Sequence, residues 1–171
     1  MDKQEQDVLL LQYDLSNGMA TKVYKFMTGK DLEAVWHTSL VVYGNEYFFG
    51  GGICVGEPRN TPYGTPIKES VFGKTTKTEE EFNKYLDSIR DVYNSENYHL
   101  LDRNCNHFTD AICKYLCDKP LPDEILNQHK YLSDTAFGKY IMGRLEYISK
   151  KNAQIIPETI EGKKKESNDN K

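Results

Sequence analysis

Apolar positions alternate through the first half of the chain and recur at helical spacing through the second. Val8-Leu9-Leu10-Leu11-Gln12-Tyr13-Asp14-Leu15 predicts a first strand, closed by the turn signal Asn17-Gly18. Met19 to Met27 fits either a strand or a short helix and ends at Thr28-Gly29-Lys30. Trp36 to Tyr43 is rich in β-branched and aromatic residues. With Gly44-Asn45 as the turn and Glu46-Tyr47-Phe48-Phe49 as the return, it predicts a hairpin. Gly50-Gly51-Gly52 marks a sharp bend, Arg59 to Pro66 a loop, and Lys68 to Gly73 another strand.

Helical periodicity takes over at Thr78-Glu79-Glu80-Glu81, a capping box. Phe82, Leu86, Ile89 and Tyr93 follow on one face, which predicts a helix over 79–94. Tyr98 to Leu101 fits one more short strand. Phe108, Ala111, Ile112, Tyr115 and Leu116 then define an amphipathic helix from Cys105 to Cys117, stopped by Asp118-Lys119-Pro120. Two further helices are expected at 122–128 and 133–149, the second capped by Ser133. Strands first and helices after favour an α+β domain over 1–150. The polar segment 151–171 is expected to be a disordered tail.

Composition narrows the class of function. The chain has 171 residues, with 22 Lys plus Arg against 26 Asp plus Glu, a net charge of −4. That balance argues against a dedicated nucleic-acid binder. The longest strictly apolar run is the four residues Val8 to Leu11, far below the ~20 a spanning helix needs. The charged opening, Met1 to Gln6, does not resemble a secretory leader, so a cytoplasmic or nuclear location is expected. Cys54, Cys105, Cys113 and Cys117 are then expected to be thiols. Their spacing offers no zinc knuckle, and no phosphate loop is present, so neither a metal nor a cofactor is expected.

One thiol stands out. Cys105 opens a predicted helix, where free amides and the helix dipole favour an anion and lower a thiol pKa. It shares a face with Phe108, Thr109 and Ile112, so the sulfur points toward the packed side or a cleft beside it. A free cysteine is nonetheless often just a small buried hydrophobe. A nucleophile also needs a base. Of the four histidines, His37 sits on the best-defined strand, which can hold an imidazole in place. His107 points to another side of the helix, His99 lies at a short strand, and His129 lies in a loop-like stretch with nothing apolar to fix it.

Two segments together carry a family resemblance. Trp36-His37-Thr38-Ser39-Leu40-Val41-Val42 with Glu46 to Ile53, and Asn104-Cys105-Asn106-His107-Phe108, resemble the two halves of the PPPDE peptidase motif, closest to the deSUMOylating isopeptidases. Tyr13-Asp14-Leu15-Ser16, Thr78-Glu79-Glu80 and Phe137-Gly138 match as well. The likeness spans about residues 8–147. It implies a circularly permuted papain-like fold, Cys105 as nucleophile and His37 as general base. The implied reaction is removal of a ubiquitin-like modifier, SUMO first, from target lysines. A homodimer is part of the implication.

Asp14, Asn104 and Asn106 are candidates for a group orienting His37, beside a plain dyad. Trp36 and Gly50-Gly51-Gly52 are candidates for lining a narrow substrate groove. The same dyad would serve a deubiquitinase or a protein S-acyl thioesterase, and an inert dyad would leave a binding module.

Overall fold

Residues 4–147, except 100, 134, 137, 141, 142 and 144–146, are described by the computed structural model of the chain. Five strands form one antiparallel sheet: β1 (Gln6–Asp14), β2 (Trp36–Val42), β3 (Asn45–Phe49), β4 (Ile53–Gly56) and β5 (Lys68–Thr75), in the order β4-β3-β2-β1-β5. The helices are α1 (Met19–Thr28), α2 (Glu79–Ser88), α3 (Cys105–Cys117), α4 (Asp123–Leu126) and α5 (Gln128–Ser133). The α+β class expected from the sequence is the one the chain adopts. No helix among the described residues is long and apolar enough to cross a membrane.

β2 is buried along its whole length because both faces of the sheet are covered. Alternation turns Trp36, Leu40 and Val42 toward the main core, where they meet Phe82 and Leu86 of α2 and Phe108, Ile112 and Leu116 of α3. Each such side chain contributes about 1.5–3 kcal/mol when fully buried. Val41 faces the other way, into a smaller cluster with Leu11 and Tyr13 against which Tyr63 packs. His37 and Ser39 share that second face by the same alternation.

Pairing within the sheet sets up the site. β2 pairs with β1 from Trp36 to Val41, but with β3 only from Leu40 to Val42. β3 then turns to β4, matching Phe48 with Cys54 and Phe49 with Ile53. The first half of β2 therefore presents an unpaired edge, and buried backbone groups on such an edge need partners from elsewhere.

Several expectations change in detail. The hairpin turn is Tyr43-Gly44, both at positive φ (52° and 76°), and Asn45 already belongs to β3. This is the twist a two-residue hairpin loop requires. Met19–Thr28 is a helix, with Gly29 in the left-handed conformation at its end. Strand β4, short and directly after the glycine run, gave no pattern of its own. α2 ends at Ser88, and turns carry the chain on through Tyr93. Tyr98 to Leu101 is no strand: the described part holds one isolated bridge, His99 with Arg103. The helix expected over 122–128 is the four-residue α4; Ser133 ends α5, and the described residues 136, 138–140, 143 and 147 of the helix expected over 133–149 are helical. Much of 133–149, and the expected tail at 151–171, lie outside the described residues.

Candidate active site

The open edge of β2 is taken up by the N-terminus of α3. Asn106 Nδ2 donates to the Trp36 carbonyl at 3.0 Å, and the Thr38 hydroxyl donates to Asn106 Oδ1 at 2.8 Å. The Thr109 hydroxyl donates to the Thr38 carbonyl at 3.0 Å. These three bonds join residues about 70 positions apart, and two of them satisfy backbone carbonyls that β3 leaves unpaired. α5 reinforces the junction from the other end. Gln128 Oε1 accepts from the Trp36 amide at 2.8 Å, and its Nε2 donates to the Ala34 carbonyl at 2.6 Å.

Cys105 is the first residue of α3, as its sequence position predicts. Asn104 caps the helix by accepting from the amides of Asn106 and His107, and His107 Nδ1 accepts in return from the Asn104 amide. His107 thus has a structural task, that of the third residue in a capping box. The amides of Thr38, Asn106 and Cys105 itself face the sulfur and favour its anion. Burial outweighs them, and the thiol is pushed up to about 12. The helix position alone predicted a lowered thiol. In this closed arrangement desolvation wins.

The sulfur opens on a cavity of about 30 Å³ lined by Trp36, Tyr98, Asn104, Gln128, His129 and Leu132 among others. That is room for about one water and far too little for a peptide. Among the expected substrate contacts, Trp36 lines this cavity. Gly50, Gly51 and Gly52 do not: they form the β3–β4 turn, closed by the Gly50 amide donating to the Gly52 carbonyl and bridged to Asn94. His129, expected to be unfixed, is buried in α5 and shares the Cys105 cavity. Its ring centroid lies 5.4 Å from that of His107.

His37 is 1% exposed and lies on the second face of the sheet, opposite Tyr13 across the β1–β2 pair. Tyr63 stacks on it with centroids 3.6 Å apart, and Phe48 meets it edge-on at 6.3 Å. Its Nε2 is buried and carries no hydrogen bond. Burial pulls the imidazole down to about 3, so it is neutral at pH 7. Thiol and imidazole are therefore each neutral at pH 7. They flank one stretch of β2, the sulfur at the edge by the Thr38 amide and the ring on the adjoining face.

The expected orienting groups are engaged elsewhere. Asp14 accepts from the Ser16 hydroxyl and from the amides of Ser16, Gly18 and Val35. Burial raises its pKa, but those four bonds outweigh it and hold the carboxyl below the usual range. Asp14 thereby ties the β1–α1 turn to the start of β2. The Asn106 amide bridges Trp36 and Thr38, and Asn104 caps α3.

The comparisons with known proteins agree with this geometry. Residues 6–146 match the family model described as "PPPDE putative peptidase domain". The chain belongs to the PPPDE peptidase family. It is thereby a cysteine-type peptidase, and the two segments that carry the family resemblance in the sequence meet at the edge of β2. Among curated proteins it is similar to desumoylating isopeptidase 1 of Homo sapiens, 38% identical over 143 residues, which span 82% of this chain and 85% of the human protein. The proteins of the same name from Rattus norvegicus and Xenopus laevis are 37% and 36% identical over the same lengths.

The roles of four residues around this site could not be read from the sequence of this PPPDE family member. Thr38, Thr109 and Gln128 act through bonds to distant backbone, and Tyr63 through a ring contact from a loop. Composition and periodicity carry no trace of such pairings.

Proposed function

We propose that this protein is an isopeptidase that removes SUMO from the lysines of target proteins, with Cys105 as nucleophile and His37 as general base. The observation that carries the proposal is the junction at β2. Asn106, next to the thiol, is bonded to Trp36 and Thr38, the two residues that flank His37. The names of the relatives supply the modifier.

Turnover follows from the chemistry of the groups present. His37 Nε2, which no other group engages, takes the proton of the Cys105 thiol as the sulfur attacks the carbonyl carbon of the isopeptide bond. The Cys105 amide, which has no helix carbonyl to bond at the first position of α3, donates to the developing oxyanion. The imidazolium returns the proton to the departing lysine ε-amine. Water, deprotonated by His37, then hydrolyses the thioester and frees the modifier's carboxylate. The 30 Å³ cavity has to widen for the substrate tail to enter, and that widening admits polar groups that relieve the desolvation of the thiol.

The test is turnover of three substrates by the full chain and by Cys105→Ser: a SUMO–lysine isopeptide conjugate, its ubiquitin counterpart and an S-acylated peptide. Release of SUMO that Cys105→Ser abolishes is the expected result. Release of ubiquitin alone reassigns the modifier, and thioester hydrolysis alone reassigns the bond. No turnover of any leaves a binding module.

A further inference from the structure

We propose that Tyr63 is a positioning residue for His37, and that the loop joining β4 to β5 is built to hold it there. The inference rests on the assignment of His37 as the general base.

The Tyr63 ring lies nearly parallel to the imidazole, at 23° and 3.6 Å between centroids. Face-to-face contact fixes the plane of a histidine ring without occupying either nitrogen. A hydrogen-bonding partner of the asparagine or aspartate kind would occupy one. Asp14 and Asn106, candidates for that role, spend their oxygens on other groups. Phe48 and Tyr13 bound the ring on further sides, at 6.3 and 5.8 Å between centroids. His37 is thus held by an aromatic box with Tyr63 as its closest wall.

The loop that delivers Tyr63 is anchored with unusual care. Glu46 on β3 is fully buried, which is costly for a carboxylate unless its oxygens are bonded. Oε1 accepts from the Tyr13 and Ser39 hydroxyls at 2.6 Å each, and Oε2 accepts from the Arg59 amide at 2.7 Å. Arg59 also forks onto Glu69 of β5 at 2.6 and 2.7 Å. The far end is fixed by the Ile67 amide on the Gln12 carbonyl at 2.8 Å. Tyr13 and Ser39 are the sheet neighbours of His37, across the strand pair and two residues along β2. One carboxylate therefore ties the floor of the box to the loop that forms its wall.

The test compares wild type, Tyr63→Phe, Tyr63→Leu and His37→Ala in the full chain, reading kcat, KM and the pH profile of kcat/KM on the isopeptide substrate. Tyr63→Leu keeps apolar bulk in a half-exposed loop and removes the ring face. The expected result is a roughly tenfold fall in kcat with KM within about twofold, and a displaced acid limb of the pH profile. Tyr63→Phe restores kcat to within about twofold of wild type. A Tyr63→Leu enzyme with wild-type kcat and profile overturns the inference, as does equal damage in Tyr63→Phe. The two failures separate cleanly. Wild-type activity in His37→Ala removes the base assignment itself, whereas an inactive His37→Ala beside an unaffected Tyr63→Leu removes only the role of Tyr63.

Discussion

The side-chain amide of Asn106 donates to the carbonyl of Trp36 at 3.0 Å, joining the residue after the thiol to the residue before the imidazole. The Thr38 hydroxyl completes the clamp on the amide oxygen. Asn106→Ala leaves the Trp36 carbonyl and Thr38 hydroxyl buried and unpartnered. The expected cost is about 2–6 kcal/mol, from two stranded groups at about 1–3 kcal/mol each. Urea unfolding measures it. Turnover should fall further than stability requires, because the clamp also sets the sulfur against β2. A variant within about 0.5 kcal/mol of wild type would mean that α3 is seated by its apolar face alone.

Stability should peak between the two ordinary pKa values of the buried pair. The His37 imidazole falls from 6.5 to about 3 on folding, so the unfolded chain binds the extra proton between those values. That contribution is fully present above pH 6.5 and is lost as pH falls toward 3. Cys105 runs the other way: its thiol rises from 9.0 to about 12, so its contribution is fully present below pH 9.0 and is lost as pH climbs. Thermal unfolding from pH 4 to 10 should therefore give a Tm plateau near neutrality with a fall on each side. His37→Gln should flatten the acid fall, and Cys105→Ser the alkaline one.

The same burial predicts how the resting thiol behaves toward a small reagent. Iodoacetamide should label Cys105 slowly at pH 7, with a rate that keeps rising above pH 9, because the buried neutral thiol offers little thiolate. Peptide mapping of the alkylated protein across pH gives the profile. A flat, fast rate from about pH 5 upward would instead show a standing thiolate–imidazolium pair.

The parts of this molecule that were legible in advance are those with local causes. The capping box at Thr78 and the amphipathic run from Cys105 to Cys117 produce the helix starts they announce. The β2–β3 hairpin follows from its β-branched and aromatic residues, although its turn lies one residue earlier because both turn positions need positive φ. What could not be read is set by contacts across long separations. His129 looked unanchored because the walls that bury it come from elsewhere in the chain. The helix start of Cys105 argued for a lowered thiol, since burial is a property of the assembled fold. Asp14 looked available to a histidine until the β1–α1 turn and the Val35 amide claimed its oxygens.

Buried Glu46 gives a separate check on the loop above His37. Glu46→Ala strands the Tyr13 and Ser39 hydroxyls and the Arg59 amide. A loss of about 3–5 kcal/mol is expected, because three donors are left unpaired in a closed space. Chemical denaturation reads the loss, and limited proteolysis should find new cleavage between Glu57 and Pro66. An intact loop with unchanged stability would show that the Arg59–Glu69 pair suffices to hold it.

The most direct test of the central claim is covalent capture. SUMO carrying a C-terminal electrophile is mixed with the full chain, and the adduct is located by mass spectrometry. The account predicts one adduct, on Cys105, absent in Cys105→Ser and formed at least ~100-fold more slowly in His37→Ala. An adduct on Cys54, Cys113 or Cys117, or one whose rate ignores His37, would contradict it.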